Sequence, residues 1–354
     1  TTTRKYGVSK YVYYNTKSQA IGLGLPDSVA SIIVDNTGLN TFTVTFNKTA
    51  TAVKIRDSIQ VLNGRLASGD RSLILYGNFS LWNNTAFEPG AAGIFTFSGA
   101  RDSRLNLGNS SGLTFNVVQM NKESGAIVEG LRLNGAVNNH VYINKSLNFL
   151  RDNNYFALGD SLNMIVYDTR TDSAIINYSN SRFVRTSKTS GMLYRSVLAT
   201  GTYVFPIGSL EGGTNRLARA VFAGAGAGTS GMLAARTSEG SHSAPFDGTH
   251  IGISSTPGIS YLKRYWAVDT STAKINGGWT FHFPADEVVG SDFTRIGRWR
   301  PFKERTGGFW MTYPVGGGWS INLGGLSFST PSDLAYSNFY GDWLIGSDQA
   351  FRRI

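Results

Sequence analysis

Short apolar runs broken by Gly, Asn and Asp corners set the pattern of this chain. The clearest unit is residues 58–75, SIQVLNGRLASGDRSLIL, in which SIQVL and SLIL flank a polar corner. It returns at 146–166 as SLNFLRDNNYFALGDSLNMIV. Runs of this length bounded by turn residues read as strands. No long segment carries apolar residues at i, i+3, i+4 and i+7, so helices should be few and short.

The units around the rung repeat as well. YVYYNTKSQA (11–20) resembles IFTFSGARDSR (94–104), SIIVDNTG (31–38) resembles FNVVQMNKESG (115–125), and TFTVTF (41–46) resembles AIVEGLRLNG (126–135). Asn36 then matches Asn121 and Gly69 matches Gly159, a repeat of roughly 85–90 residues. That is too long for one solenoid coil of about 20–30 residues but fits three or four coils. The expected fold of 1–194 is a parallel β-helix or β-solenoid. A pair of antiparallel sandwiches is the alternative, because alternation alone does not separate the two. Residues 11–20 match the end of a unit whose beginning is missing, so the expectation is either an N-terminal edge completed by another chain or, the favoured reading, a piece of a longer protein.

The pattern changes around 179–196, and Pro206 with its following glycines marks a boundary. From 195 the strands lengthen: RLARAVFAG, YLKRYWAVD, GWTFHFPAD, GGFWMTYPV, GWSINLGGL and DWLIGS. Six tryptophans, Trp266, Trp279, Trp299, Trp310, Trp319 and Trp343, are spread among them. The expectation for 195–354 is an antiparallel β-sandwich, which makes the chain all-β.

Composition narrows the function classes. Hydrophobic residues are 41% and charged ones only 16% of 354 residues, which disfavours a disordered chain. The net charge of +10 is scattered, and the densest basic stretch is RIGRWRPFKER (295–305). A nucleic-acid binder would cluster its cations, so no nucleic-acid partner is expected. With no cysteine, disulfides and thiolate metal sites are excluded. No apolar run approaches the ~18 residues of a membrane helix. The chain opens on TTTRKYGV rather than Met, which reads as a processed or trimmed start.

The order of signatures resembles a known group. IIVDNTG, the rung, GNFSLWNNTAFEPGAAGIFTFSGARD, the second rung, RFVRTSKTSGMLYRS, TGTYVFPIG, RYWAVD and a closing GDWLIGS follow one another over residues 11–347. This order is similar to that of the large β-repeat surface and secreted proteins exported by the type IX secretion system of gliding bacteria. The resemblance implies an extracellular or cell-surface location, an adhesive or structural role, and contact with the secretion machinery before maturation. It implies no catalytic residues. The chain ends at DQAFRRI without the sorting domain such cargo usually carries. The same resemblance implies O-glycosylation at Asp-Ser followed by a small apolar residue, here Ser28, Ser58, Ser161 and Ser173. Asp-Ser is also ordinary turn chemistry.

Candidate chemistry is sparse. GNSSG (108–112) satisfies G-x-S-x-G but is followed by the strand pattern LTFNVVQM instead of a helix. GAGAG (224–228) lacks the Lys and the helix of a phosphate loop. Of four histidines, His140, His242, His250 and His282, none forms HExxH. No cofactor or metal is expected. Arg65, Arg71, Arg132 and Arg151, with Asp70 and Asp152 at corners, would serve a polysaccharide lyase. Arg298, Trp299, Arg300, Phe309 and Trp310 form an Arg–aromatic cluster that suits an interaction surface for sugar rings or another protein. The expected function is a non-enzymatic structural or adhesive surface protein, self-assembling or binding a cell-surface glycan. The alternative is a carbohydrate-active enzyme or carbohydrate-binding module on a β-helix scaffold.

Overall fold

A computed structural model describes residues 9–14, 16–22, 25–36, 41–47, 52–82, 85–108, 112–123, 127–131, 139–159, 162–186, 191–211, 213–239, 245–246, 249–250, 260–301 and 308–351. The chain divides into two compact units, 1–168 with 173–184, and 169–172 with 185–354.

The first unit is a β-solenoid of about 7 turns. Its strands pair in parallel and fall on three faces. One face stacks 28–29, 53–55, Leu73–Leu75, Ile94–Gly99, 117–122, 146–149 and Ile175–Ile176. The second stacks Lys10–Tyr13, 31–34, 58–61, Asn78–Leu81, Ser103–Asn106, Ile127–Leu131 and Asn154–Ala157. The third begins with Gln19–Ile21, Thr43–Phe46, Arg65–Gly69 and Ala86–Pro89. It continues with 113–115, 139–143 and Leu162–Val166. This parallel pairing decides against antiparallel sandwiches for the described strands.

Alternation explains why these residues form a coil. Along the rung, Val53, Ile55, Ile59, Val61, Leu66, Leu73 and Leu75 are all fully buried, and polar residues alternate outward. Val53–Asn63 is one strand of 11 residues that bends round a corner and serves two faces. Inside, Phe79, Phe87 and Phe95 come from the three faces of a single turn. Their ring centroids lie 5.3–5.8 Å apart, edge to face.

Corners carry the tightest backbone approach. A Cβ on Gly77 would lie 1.7 Å from the Asp57 carbonyl oxygen one coil below, so only glycine fits. Asparagines and aspartates tie corners together. Asn154 Nδ2 donates to Lys122 O at 3.0 Å while its Oδ1 accepts from Lys122 N at 2.7 Å. Asp70 and Asp102 accept from Ala92 N and Ile127 N.

The repeat differs from its sequence reading in phase. In the first copy, 58–61, 65–69 and 73–75 lie on the second, third and first faces. In the echo, 146–149, 154–157 and 162–166 lie on the first, second and third. Successive coils are 20 to 29 residues long, as when Ser58 pairs with Asn78 and Val118 with Leu147. Every face uses the same strand-then-corner pattern, so similarity at 85–90 residues matches strands on different faces. Residues 10–13 do pair onto the coil above, in register with 31–34.

The second unit contains two antiparallel sheets. One orders Leu193–Val197, Gly231–Glu239, Arg264–Asp269, Gly341–Gly346, Arg295–Pro301 and Gly308–Pro314. The other orders Thr200–Phe205, Ala220–Thr229, Lys274–His282, Ser327–Ser329 and Ser320–Asn322. Their inner faces meet in an aromatic core. Phe281 lies 5.4 Å from Trp266, 5.8 Å from Trp279 and 6.2 Å from Trp343, and all three tryptophans are fully buried.

Beside it sits a fully buried ion pair. Arg264 holds Glu287 through Nη2–Oε1 at 2.5 Å and Nε–Oε2 at 2.6 Å, and its Nη1 donates to Ser209 and Thr237. Such a bidentate, fully hydrogen-bonded geometry is what makes burial of two charges tolerable. Glu287→Ala should cost about 3–5 kcal/mol by stranding the guanidinium, and Arg264→Met with Glu287→Leu should recover most of it. Denaturant midpoints check this. A single-variant loss below about 1 kcal/mol would mean that the pair is not held dry.

Candidate functional site

The candidate site is a groove on the corner between the first and second faces of the solenoid. It is a cavity of about 580 Å³ lined by Lys54, Arg56, Asp57, Tyr76, Gly99, Ala100, Arg101 and Glu123. These residues come from four successive coils, because the first-face strands 53–55, Leu73–Leu75, Ile94–Gly99 and 117–122 stack in that order. Lys54 and Arg56 turn outward because the strand alternates, so that burying Val53 and Ile55 exposes them. Arg56 is steadied by its Nε donating to Ser28 Oγ at 3.1 Å. Three cations and two carboxylates face the groove, with Tyr76 half-buried at its floor.

Beneath the corner lies Lys122, fully buried, its Nζ donating to Ser98 O at 2.7 Å and Ser103 Oγ at 3.0 Å. Burial pulls its pKa down from 10.5 to about 8, against the upward pull of Asp102 and Glu123. The corner therefore holds a fourth basic side chain beneath the three that line the groove.

The residues singled out from the sequence are dispersed. Arg65 pairs with Glu88 at 2.7 Å on the third face, Arg151 is exposed at a corner, and Arg132 lies outside the described residues. Asp152 accepts from Ser181 Oγ at 2.8 Å and pairs with Arg182. Like Asp70, it performs turn chemistry. The hydroxyls of Ser28 and Ser58 are half-buried and engaged, Ser58 Oγ donating to Ser31 Oγ at 3.0 Å. Ser173 is half-buried in a turn, and Ser161 lies outside the described residues.

The Arg–aromatic cluster needs correction. Arg298 is fully buried and Trp299 is 8% exposed, so neither can form an outer interaction surface. The alternation of Arg295–Pro301 points them to opposite sides of the sheet. Arg298 lies 5.5 Å over the Trp343 ring, donating to Asn338 O and, at 2.9 Å, to Met311 Sδ. Burial lowers its pKa. Trp299 packs on Trp310 at 5.6 Å, and Trp310 on Phe351 at 5.7 Å. Arg300 is half-buried, and the Phe309 side chain lies outside the described residues.

His282 is half-buried, and burial with nearby Arg219 brings its pKa down to about 4, so it is neutral at pH 7. His140 is lowered by burial as well. His242 lies outside the described residues, as does the His250 side chain. Residues 109–111 of the G-x-S-x-G stretch also lie outside. Residues 224–228 fall within the strand Ala220–Thr229 and not in a helix-opening loop. Among the described residues no group of three His, Asp or Glu is placed to hold a metal ion. Among the described residues no helix is long and apolar enough to cross a membrane.

The groove escaped sequence reading because its lining spans 54 to 123 and assembles only once the coils stack. No family model matches the chain, and no curated protein or solved structure matches it either.

Lys122 gives a pH signature. Its pKa is lower folded than unfolded, so between about 8 and 10.5 the unfolded chain holds a proton that the folded chain has released. Stability from this group therefore rises as pH increases through that window. The denaturation midpoint of the unaltered chain should climb relative to Lys122→Met between about pH 8 and 10. Parallel curves would show that the amine is not displaced.

Proposed function

We propose that the chain is a non-enzymatic, extracellular cell-surface scaffold of the kind exported by the type IX route, and that it adheres to an anionic glycan through the solenoid corner. The observation that carries this reading is the open groove with Lys54, Arg56 and Arg101 on its walls. A polyanion laid across stacked coils meets cations from more than one turn, and the buried Lys122 strengthens the field from below. Affinity then comes from several weak contacts spread along a rigid surface. Meanwhile the corner carboxylates Asp70, Asp102 and Asp152 are committed to backbone and side-chain partners that hold coil to coil. The ordered motifs from IIVDNTG to GDWLIGS support export and surface display.

A second reading, a carbohydrate-active enzyme, draws on Asp57 and Glu123, two carboxylates in the same groove as the cations. A lyase or hydrolase needs such groups beside the scissile bond.

Polygalacturonate and alginate separate the two. The unaltered chain should bind one of them and release no unsaturated or reducing ends. Arg56→Ala with Arg101→Ala should weaken binding by about tenfold or more, equal to about 1.4 kcal/mol, and salt should weaken it for the unaltered chain. New chain ends that vanish in Asp57→Asn or Glu123→Gln would replace the adhesive reading with the enzymatic one. Protease shaving of intact producing cells tests the location: the chain should be released without lysis.

A further inference from the structure

The second unit carries a separate cluster of titratable and aromatic side chains on one face of its six-stranded sheet. Residues directly opposite one another in an antiparallel pair project to the same side. One row across the sheet is therefore Trp310, Trp299, Asp342, Ala267 and Arg236. The next is Asp269, Ala234 and Tyr194. This side faces away from the aromatic core, since Trp266 and Trp343, in the intervening positions, pack against the other sheet.

At the centre of the two rows are alanines, Ala234 and Ala267, both buried beneath the larger residues around them. The short floor lets those residues converge. The Tyr194 hydroxyl shares a hydrogen bond with the Asp269 carboxylate, and burial raises the Asp269 pKa. Arg236 lies 6.0 Å over the Tyr265 ring. Tyr340 stands at the rim, 44% exposed, near enough to Asp269, Asp342, Arg300 and Arg236 to be influenced by all four. Gly341 sets it there. Its φ is +136°, and a Cβ would lie 2.3 Å from Trp299 O, so no other residue lets the chain pass this close.

Beyond Tyr265 the face is closed by its own apolar cluster of Tyr265, Leu344 and Phe351, with Trp310 against it. What stays accessible is a patch in which Arg236 stands with two carboxylates, Asp269 and Asp342, beside an exposed tyrosine ring. Two carboxylates against one guanidinium give a polyanion no advantage. Hydrogen-bond donors and acceptors set close together beside an aromatic face suit a ligand that offers both and carries an apolar ring face. We propose that this patch, around Tyr340, Asp342, Asp269 and Arg236, is a binding site for a neutral sugar, with the pyranose face on Tyr340 and its hydroxyls on the carboxylates and Arg236.

The site lies wholly within the second unit and does not depend on the solenoid groove. Cathodic native electrophoresis through gels containing hydroxyethylcellulose, galactomannan or laminarin tests it. The full chain should be retarded by at least one of these polymers relative to a blank gel. Tyr340→Ala and, independently, Asp342→Asn should abolish the retardation while keeping the unaltered melting temperature, and Arg56→Ala in the solenoid groove should leave it intact. Should either substitution lower the melting temperature, Tyr340→Leu, which keeps apolar bulk but not the ring face, should lose the retardation, and Tyr340→Phe, which keeps the face, should retain it. Migration as in the blank gel with all three polymers would overturn the proposal. Retardation of Tyr340→Ala and Asp342→Asn equal to that of the unaltered chain would do the same.

Discussion

In-register stacking of one coil on the next is the constraint on which the first unit depends. A parallel coil cannot close its hydrogen bonds on itself; each strand needs the coil above and the coil below. The apolar side chains must therefore fall at matching positions turn after turn, as Ile32 over Ile59 and Ile59 over Phe79 do. Where a side chain would intrude on the corner at Asp57, glycine stands instead, and buried polar groups such as Lys122 and Asn154 are given partners. Both are joined to the coil by backbone bonds on both sides.

The same constraint generates the surface. Strand alternation that buries one residue exposes its neighbours, and stacking aligns the exposed ones from coil to coil. Lys54, Arg56, Arg101 and Glu123, far apart in sequence, become one groove. The second unit reaches its surface differently: small residues within a sheet let large polar ones gather round them.

How much was legible in the sequence follows from what each signal encodes. Alternation and corners are local, so strands, corners and the all-β class could be read directly from runs such as SIQVL and DWLIGS. Which face a strand occupies is not local. The similarity of 58–75 to 146–166 is real as a pattern, yet the copies sit one face out of step because all three faces require the same pattern. Arg298 misled for a related reason. An Arg among aromatics looks alike whether it covers a sheet or lies inside it, and only the Met311, Asn338 and Trp343 contacts decide. The Arg264–Glu287 pair left no sequence trace, since its partners arrive from strands and turns that only the fold brings together.

Hydrogen–deuterium exchange with and without polygalacturonate oligomers probes most directly the claim that a polyanion lies across stacked coils. Slower exchange should appear together at 54–57, 76–77, 99–101 and 123, four segments from consecutive turns. Protection confined to one of these segments, or located away from the corner, would contradict it.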